Sequence, residues 1–134
     1  MKKYIQCYIE IEGMHRWENA PRRFEYLSHL HRHTFKIRTV FEVIDDNRQI
    51  EFIQRERDIK NFLLKEFGDE EGLCNFGGMA CEHIAKKIIQ KFHAEACQVL
   101  EDGEGGALYV REESEGAFRG HWICLLYTSD AADE

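Results

Sequence analysis

Three histidines, His15, His31 and His33, have the type and spacing that suit them to chemistry. Residues 4–15 alternate, with Ile5, Cys7, Ile9 and Ile11 on one face and Gln6, Glu10 and Glu12 on the other, and His15 falls in the apolar phase. His31 and His33 share their parity with Phe35, Ile37, Phe41 and Val43, so the pair stands at the entrance of a second strand, above its apolar face. Antiparallel pairing would set the exit of the first strand beside the entrance of the second and bring the imidazoles together. Three neutral imidazoles with an open fourth position are the ligand set of a catalytic zinc site, whereas structural zinc sites are usually closed by thiolates. The expected cofactor is therefore Zn2+, held by His15, His31 and His33. His29, His83, His93 and His121 share no such pattern and are read as structural or surface residues.

The rest of the chain must position these rings. Residues 16–30 read as a loop holding the only proline and the pair Arg22-Arg23. Asp45-Asp46-Asn47-Arg48 is a turn signal, followed by a short extended stretch over residues 49–52. Ile59, Phe62, Leu63 and Phe67 fall at helical spacing from about residue 54, and Gly68 stops that helix. Residues 69–79 are glycine-rich and read as an irregular site loop. A second helix over residues 79–92 has the apolar stripe Cys81, Ile84, Ala85, Ile88 and Phe92 opposite Lys86, Lys87 and Lys91, with Glu82 suiting its N-terminal dipole. Residues 97–100 read as a strand, 101–106 as a turn and 107–111 as the returning strand. The order ββααββ predicts an α+β fold, a four-stranded antiparallel sheet with two helices packed on one face.

The 134 residues suffice for one core, so a single domain is expected over residues 1–123. Residues 124–134 resemble the translated read-through of a sequencing-library adapter and are set aside as a non-native tail. A net charge of −7 argues against nucleic-acid or anionic-membrane binding, although Arg16, Arg22, Arg23, Arg32, Lys36 and Arg38 gather near the histidines and suit a small anion. The five cysteines include no C-x-x-C pair and suggest no disulfide framework. Neither a signal peptide nor a membrane-spanning apolar run is visible, so the expected compartment is the cytoplasm.

The chain resembles, over residues 3–111, the family of 6-pyruvoyl-tetrahydropterin synthase and 6-carboxy-tetrahydropterin synthase, which have the tunnelling fold. Leu30-His31-Arg32-His33-Thr34-Phe35 is similar to the family's L-H-G-H-x-[YF], with His15 as the upstream histidine. Residues 101–109, from Glu101-Asp102 through Ala107 and Tyr109, resemble its E-T-x-x-x-x-A-x-Y strand pair, and Cys81-Glu82-His83-Ile84-Ala85 resembles its [TS]-[AS]-E-N-I-A helix start. The resemblance implies zinc on the three histidines, a pterin ring anchored by Glu101 with Glu82 nearby, and Glu112 as the alternative anchor. It further implies lyase chemistry on a molecule like dihydroneopterin triphosphate, toward a tetrahydropterin or a queuosine-type 7-deazaguanine precursor, in a homo-oligomer with its site between subunits. A carboxylate suits the anchor because it accepts two hydrogen bonds from the adjacent N–H groups of an aminopyrimidinone.

The chain also departs from the pattern. Leu27 stands where the family has a cysteine, and Glu71 stands where an Asp-His dyad has its histidine, which makes Glu71 the candidate base. Cys74 and Cys81 are the cysteines that could replace the missing thiol. Arg32 replaces the glycine between the paired histidines, a cation suited to a carboxylate or phosphate. The alternative reading is a catalytically degenerate relative that keeps zinc and a pterin or purine without the lyase reaction.

Overall fold

A computed structural model describes residues 1–112. The expected tail at 124–134, His121 and the end of the expected domain lie outside the described residues.

The alternation of residues 4–15 becomes strand β1, Lys3–His15, and that of residues 31–43 becomes β2, His31–Val43. They pair antiparallel along their whole length, from Lys3 opposite Val43 to His15 opposite His31. Between them an irregular 3-10 segment, Arg22–Leu27, occupies the loop.

Helix α1 spans Phe52–Phe67, starting two residues earlier than the periodicity predicts. Its N-cap is Glu51, whose carboxylate accepts from the N–H groups of Ile53 and Gln54 at 2.9 and 3.0 Å, so residue 52 is helical rather than the end of an extended stretch. Gly68 ends the helix with an extended φ of −77°. Close approach explains this glycine, since a Cβ there would meet the Leu64 carbonyl oxygen at 2.5 Å.

The expected four-stranded antiparallel sheet is corrected: five strands are present in the order β3-β1-β2-β4-β5. The additional strand is β3, Cys74–Gly77, inside the segment read as an irregular loop, and it runs parallel to the end of β1. Cys74 and Phe76 turn inward and are buried, so this glycine-flanked run has the alternation of a strand in only four residues. Helix α2, Cys81–Phe92, then leads into β4, Ala96–Glu101, and β5, Gly105–Val110. His93 ends α2 in the left-handed conformation, φ 58°, where a glycine is commoner.

Both helices pack on one face of the sheet. Ile59 and Leu63 of α1 and Ile84, Ala85 and Ile88 of α2 meet Cys7, Ile9, Ile11, Phe35, Ile37 and Val99 in one core. The leucine, isoleucine, valine and phenylalanine side chains among them each contribute roughly 1.5–3 kcal/mol when fully buried. The histidine end of β1 and β2 lies at one margin of that core, over the ring of Phe35. Among the described residues no helix is long and apolar enough to cross a membrane.

Candidate metal centre

Parity and register deliver the histidines as the sequence predicts. His15 ends β1 and is 7% exposed, while His31 and His33 begin β2 and are half-buried. One ligand atom from each lies within 4.8 Å of the others, a group that could hold a metal ion.

Each ring is oriented through its other nitrogen. His15 Nδ1 lies 3.0 Å from the Met79 carbonyl oxygen, and His31 Nδ1 lies 2.9 Å from that of His29. His33 Nδ1 lies 2.7 Å from Asp102 Oδ2. A carbonyl oxygen only accepts, so the Nδ1 of His15 and of His31 carries the hydrogen, and the acceptor carboxylate of Asp102 favours the same tautomer at His33. Each Nε2 then presents a lone pair, the arrangement that outer hydrogen bonds impose on metal-binding histidines.

Asp102 grips β2 at several points. Its Oδ1 accepts from the Thr34 N–H at 2.9 Å, and its own N–H donates to the Thr34 carbonyl at 2.8 Å. The bond from His33, and after it the one from Thr34, holds the Asp102 carboxyl below its ordinary range. Asp102 adopts φ 56°, in the left-handed region that aspartate tolerates better than most residues.

The inner nitrogens test whether a metal fits. Nε2 of His15 and of His33 is buried without a hydrogen-bond partner. The carboxylate of Glu101 nevertheless lies against both, Oε1 3.1 Å from His15 Nε2 and Oε2 3.3 Å from His33 Nε2. Neither contact has the geometry of a hydrogen bond, and lone pairs facing one another need positive charge between them. One divalent cation would satisfy the same nitrogens with no added proton, so the donor set fits a metal.

Beside the histidines opens a cavity of about 490 Å³. His15, His31 and Glu101 line it together with Trp17, Leu27 and Glu82. Glu101 and Glu82 are thus both at the cavity, whereas Glu112 is exposed and does not line it. Glu71 does not line it either: it is exposed in the turn before β3, its N–H donating to Asp69 Oδ1 at 2.9 Å.

The cysteines that could replace the missing thiol are buried. Cys81 lines the cavity and donates from Sγ to Glu101 Oε1 at 3.6 Å; burial, then the charge of Glu101, pushes its thiol up to about 12. Cys74 donates to the Leu63 carbonyl, and burial pushes it up to about 11. Arg32 is corrected as a grip beside the metal: strand alternation turns it to the opposite face from His31 and His33, where Nε donates to Glu12 Oε2 at 3.1 Å. Arg16 is the cavity's own arginine, and it pairs with Glu18 at 3.1 Å. The part played by Asp102 has only one signal in the sequence, the Asp-Gly step after Glu101, which reads simply as a turn.

No family model matches the chain, and no curated protein matches it. Among solved structures it is similar to an uncharacterized protein from Wolinella succinogenes, with a TM-score of 0.54 and 14% identity over 84% of this chain and 99% of that one. At that identity the likeness shows the fold alone, a mixed α+β domain. The potential metal-binding trio at the shared end of the two long strands is read from this chain's own geometry.

Proposed function

We propose that this protein is a zinc-dependent, lyase-like protein of the tunnelling-fold type, acting on a pterin related to dihydroneopterin triphosphate. The observation that carries the reading is the trio itself: three imidazoles, each tethered through Nδ1, with Nε2 left to a cation. Neutral imidazole donors with room for an exogenous ligand favour zinc over magnesium or calcium, which prefer oxygen. When bound, zinc would polarise an oxygen of the ligand's side chain and lower the cost of developing negative charge beside it.

The chain's own residues supply the rest. Glu101 would accept from the ring's adjacent N–H groups. Trp17 offers an aromatic wall, half exposed at 45%, and Leu27 excludes water without moving a proton. The cavity volume lies within the range of small-molecule sites. A homo-oligomer with the site near a subunit interface belongs to the same proposal, and the molar mass in solution tests it.

A second reading, binding of zinc and a pterin or purine without lyase turnover, is favoured by one group of observations. Leu27 occupies the wall, Cys81 keeps its proton, and Glu71 lies outside the cavity lining, leaving the carboxylates of Glu101 and Glu82 as the available bases. Incubation of zinc-loaded protein with dihydroneopterin triphosphate separates the readings. Release of a side-chain fragment supports the lyase; saturable binding without product supports the second.

A further inference from the structure

The carboxylate of Glu101 lies where a ring anchor should not need to be. An anchor would aim its oxygens into the cavity, yet both oxygens of Glu101 are turned onto imidazole nitrogens, at 3.1 Å from His15 and 3.3 Å from His33. For zinc bonds of roughly 2.0–2.2 Å to nitrogen and oxygen, adjacent ligand atoms of a tetrahedron stand about 3.3 Å apart. Each separation has the length of such an edge, one through each carboxylate oxygen. The lengths would also suit hydrogen bonds, but neither nitrogen makes one to the carboxylate. The position is also held from outside the trio. Glu101 ends β4 opposite Phe35 of β2, and Cys81 donates to its Oε1 from the first turn of α2.

We propose that Glu101 is a displaceable fourth ligand of the metal held by His15, His31 and His33. The resting site is then closed by protein donors. A cavity ligand whose N–H groups compete for the Glu101 carboxylate draws it off the metal, so that occupancy of the cavity opens the coordination position it will use. This second half rests on the pterin reading above; the first half rests on the imidazole trio and Glu101 alone.

Cobalt serves as the probe because its visible spectrum reports coordination. Metal-free wild type, Glu101→Gln and Glu101→Ala would each be titrated with Co2+ and with Zn2+ against a chromogenic chelator, with far-ultraviolet circular dichroism to establish folding. The expected result is a folded Glu101→Ala variant whose affinity falls roughly 10–100-fold or more, the range that even outer partners of metal ligands command, together with an altered cobalt spectrum. The smaller change to glutamine keeps the shape of the side chain and should give an effect of the same sign. Affinities and spectra unchanged from wild type in both variants would overturn the proposal and leave Glu101 as a cavity carboxylate.

Neopterin is then added to cobalt-loaded wild type, its binding followed separately by fluorescence. Binding that shifts the wild-type cobalt spectrum supports displacement. Binding that leaves the spectrum unchanged overturns displacement. If neopterin fails to bind at all, the pterin reading falls, while a metal-affinity loss together with an altered cobalt spectrum in the Glu101 variants still stands as evidence for the fourth ligand.

Discussion

His15 and His31 are register partners on the last rung of the β1–β2 ladder, and their ring centroids lie 4.6 Å apart. That pairing ties the candidate metal centre to the most extensively paired part of the sheet: the register that brings the rings together is the one that buries Cys7, Ile9 and Ile11 with Phe35 and Ile37. A slip of one residue would turn every one of these side chains to the wrong face. The site is therefore specified by the core rather than by a loop.

Asp102 should matter to the metal without touching it. Asp102→Asn retains a residue suited to φ 56° but replaces the charge at the end of the His33 bond. We expect metal affinity to fall roughly 10–100-fold, with most of the change in the dissociation rate. Chelator competition and stopped-flow release check it, and an affinity equal to wild type would remove Asp102 from the metal's support.

The same residue predicts a pH dependence in metal-free protein. Because the folded state holds the Asp102 carboxyl below its ordinary 3.8, its contribution to stability is present above that value and is lost as pH falls through the lowered folded value. Wild type should melt above Asp102→Asn at pH 6, and the gap should close below about pH 4. A gap that widens on acidification would contradict the assignment.

Gly13 leaves space for the platform beneath the rings. A Cβ there would meet Phe76 Cε2 at 2.6 Å and Phe35 at 3.0 Å, and Phe35 supports both His15 and His33 with centroids 5.3 and 5.8 Å away. Gly13→Ala should destabilise the fold by about 1–3 kcal/mol through overpacking. Denaturant unfolding measures it, and an effect near zero would mean that the two aromatic rings yield freely.

The buried thiols should be inert. Cys7, Cys81 and Cys97 are pushed up to about 12 and Cys74 to about 11, chiefly by burial. At pH 8 the thiolate fraction is roughly one in a thousand or less. Peptide mapping after iodoacetamide should find these four unmodified in the native protein and alkylated in guanidinium. Rapid native labelling at Cys81 would return a nucleophile to the cavity.

Strand parity made the trio legible, since His15, His31 and His33 each continue an apolar phase several residues long. The helices were equally legible from their stripes. Strand β3 was not: Cys-Asn-Phe-Gly is too short for periodicity to decide, and its existence depends on the free edge at the end of β1. The start of α1 was missed because glutamate is an unusual N-cap, visible only through the bonds it accepts. Glu101 and Glu82 were placed at the cavity by resemblance to a motif, and Glu71 by alignment in a loop where nothing local constrained it. The bond between Asp102 and His33 joins residues 69 positions apart through one turn conformation, which spacing alone does not reveal.

The most direct test is the zinc stoichiometry of the purified protein and of His15→Ala, by mass-spectrometric metal analysis after equilibrium dialysis against Zn2+, with circular dichroism to establish that both are folded. About one zinc per chain in wild type, and little or none in folded His15→Ala, is the predicted result. Equal zinc in the two proteins, or none in wild type, would contradict a metal centre built from the three imidazoles.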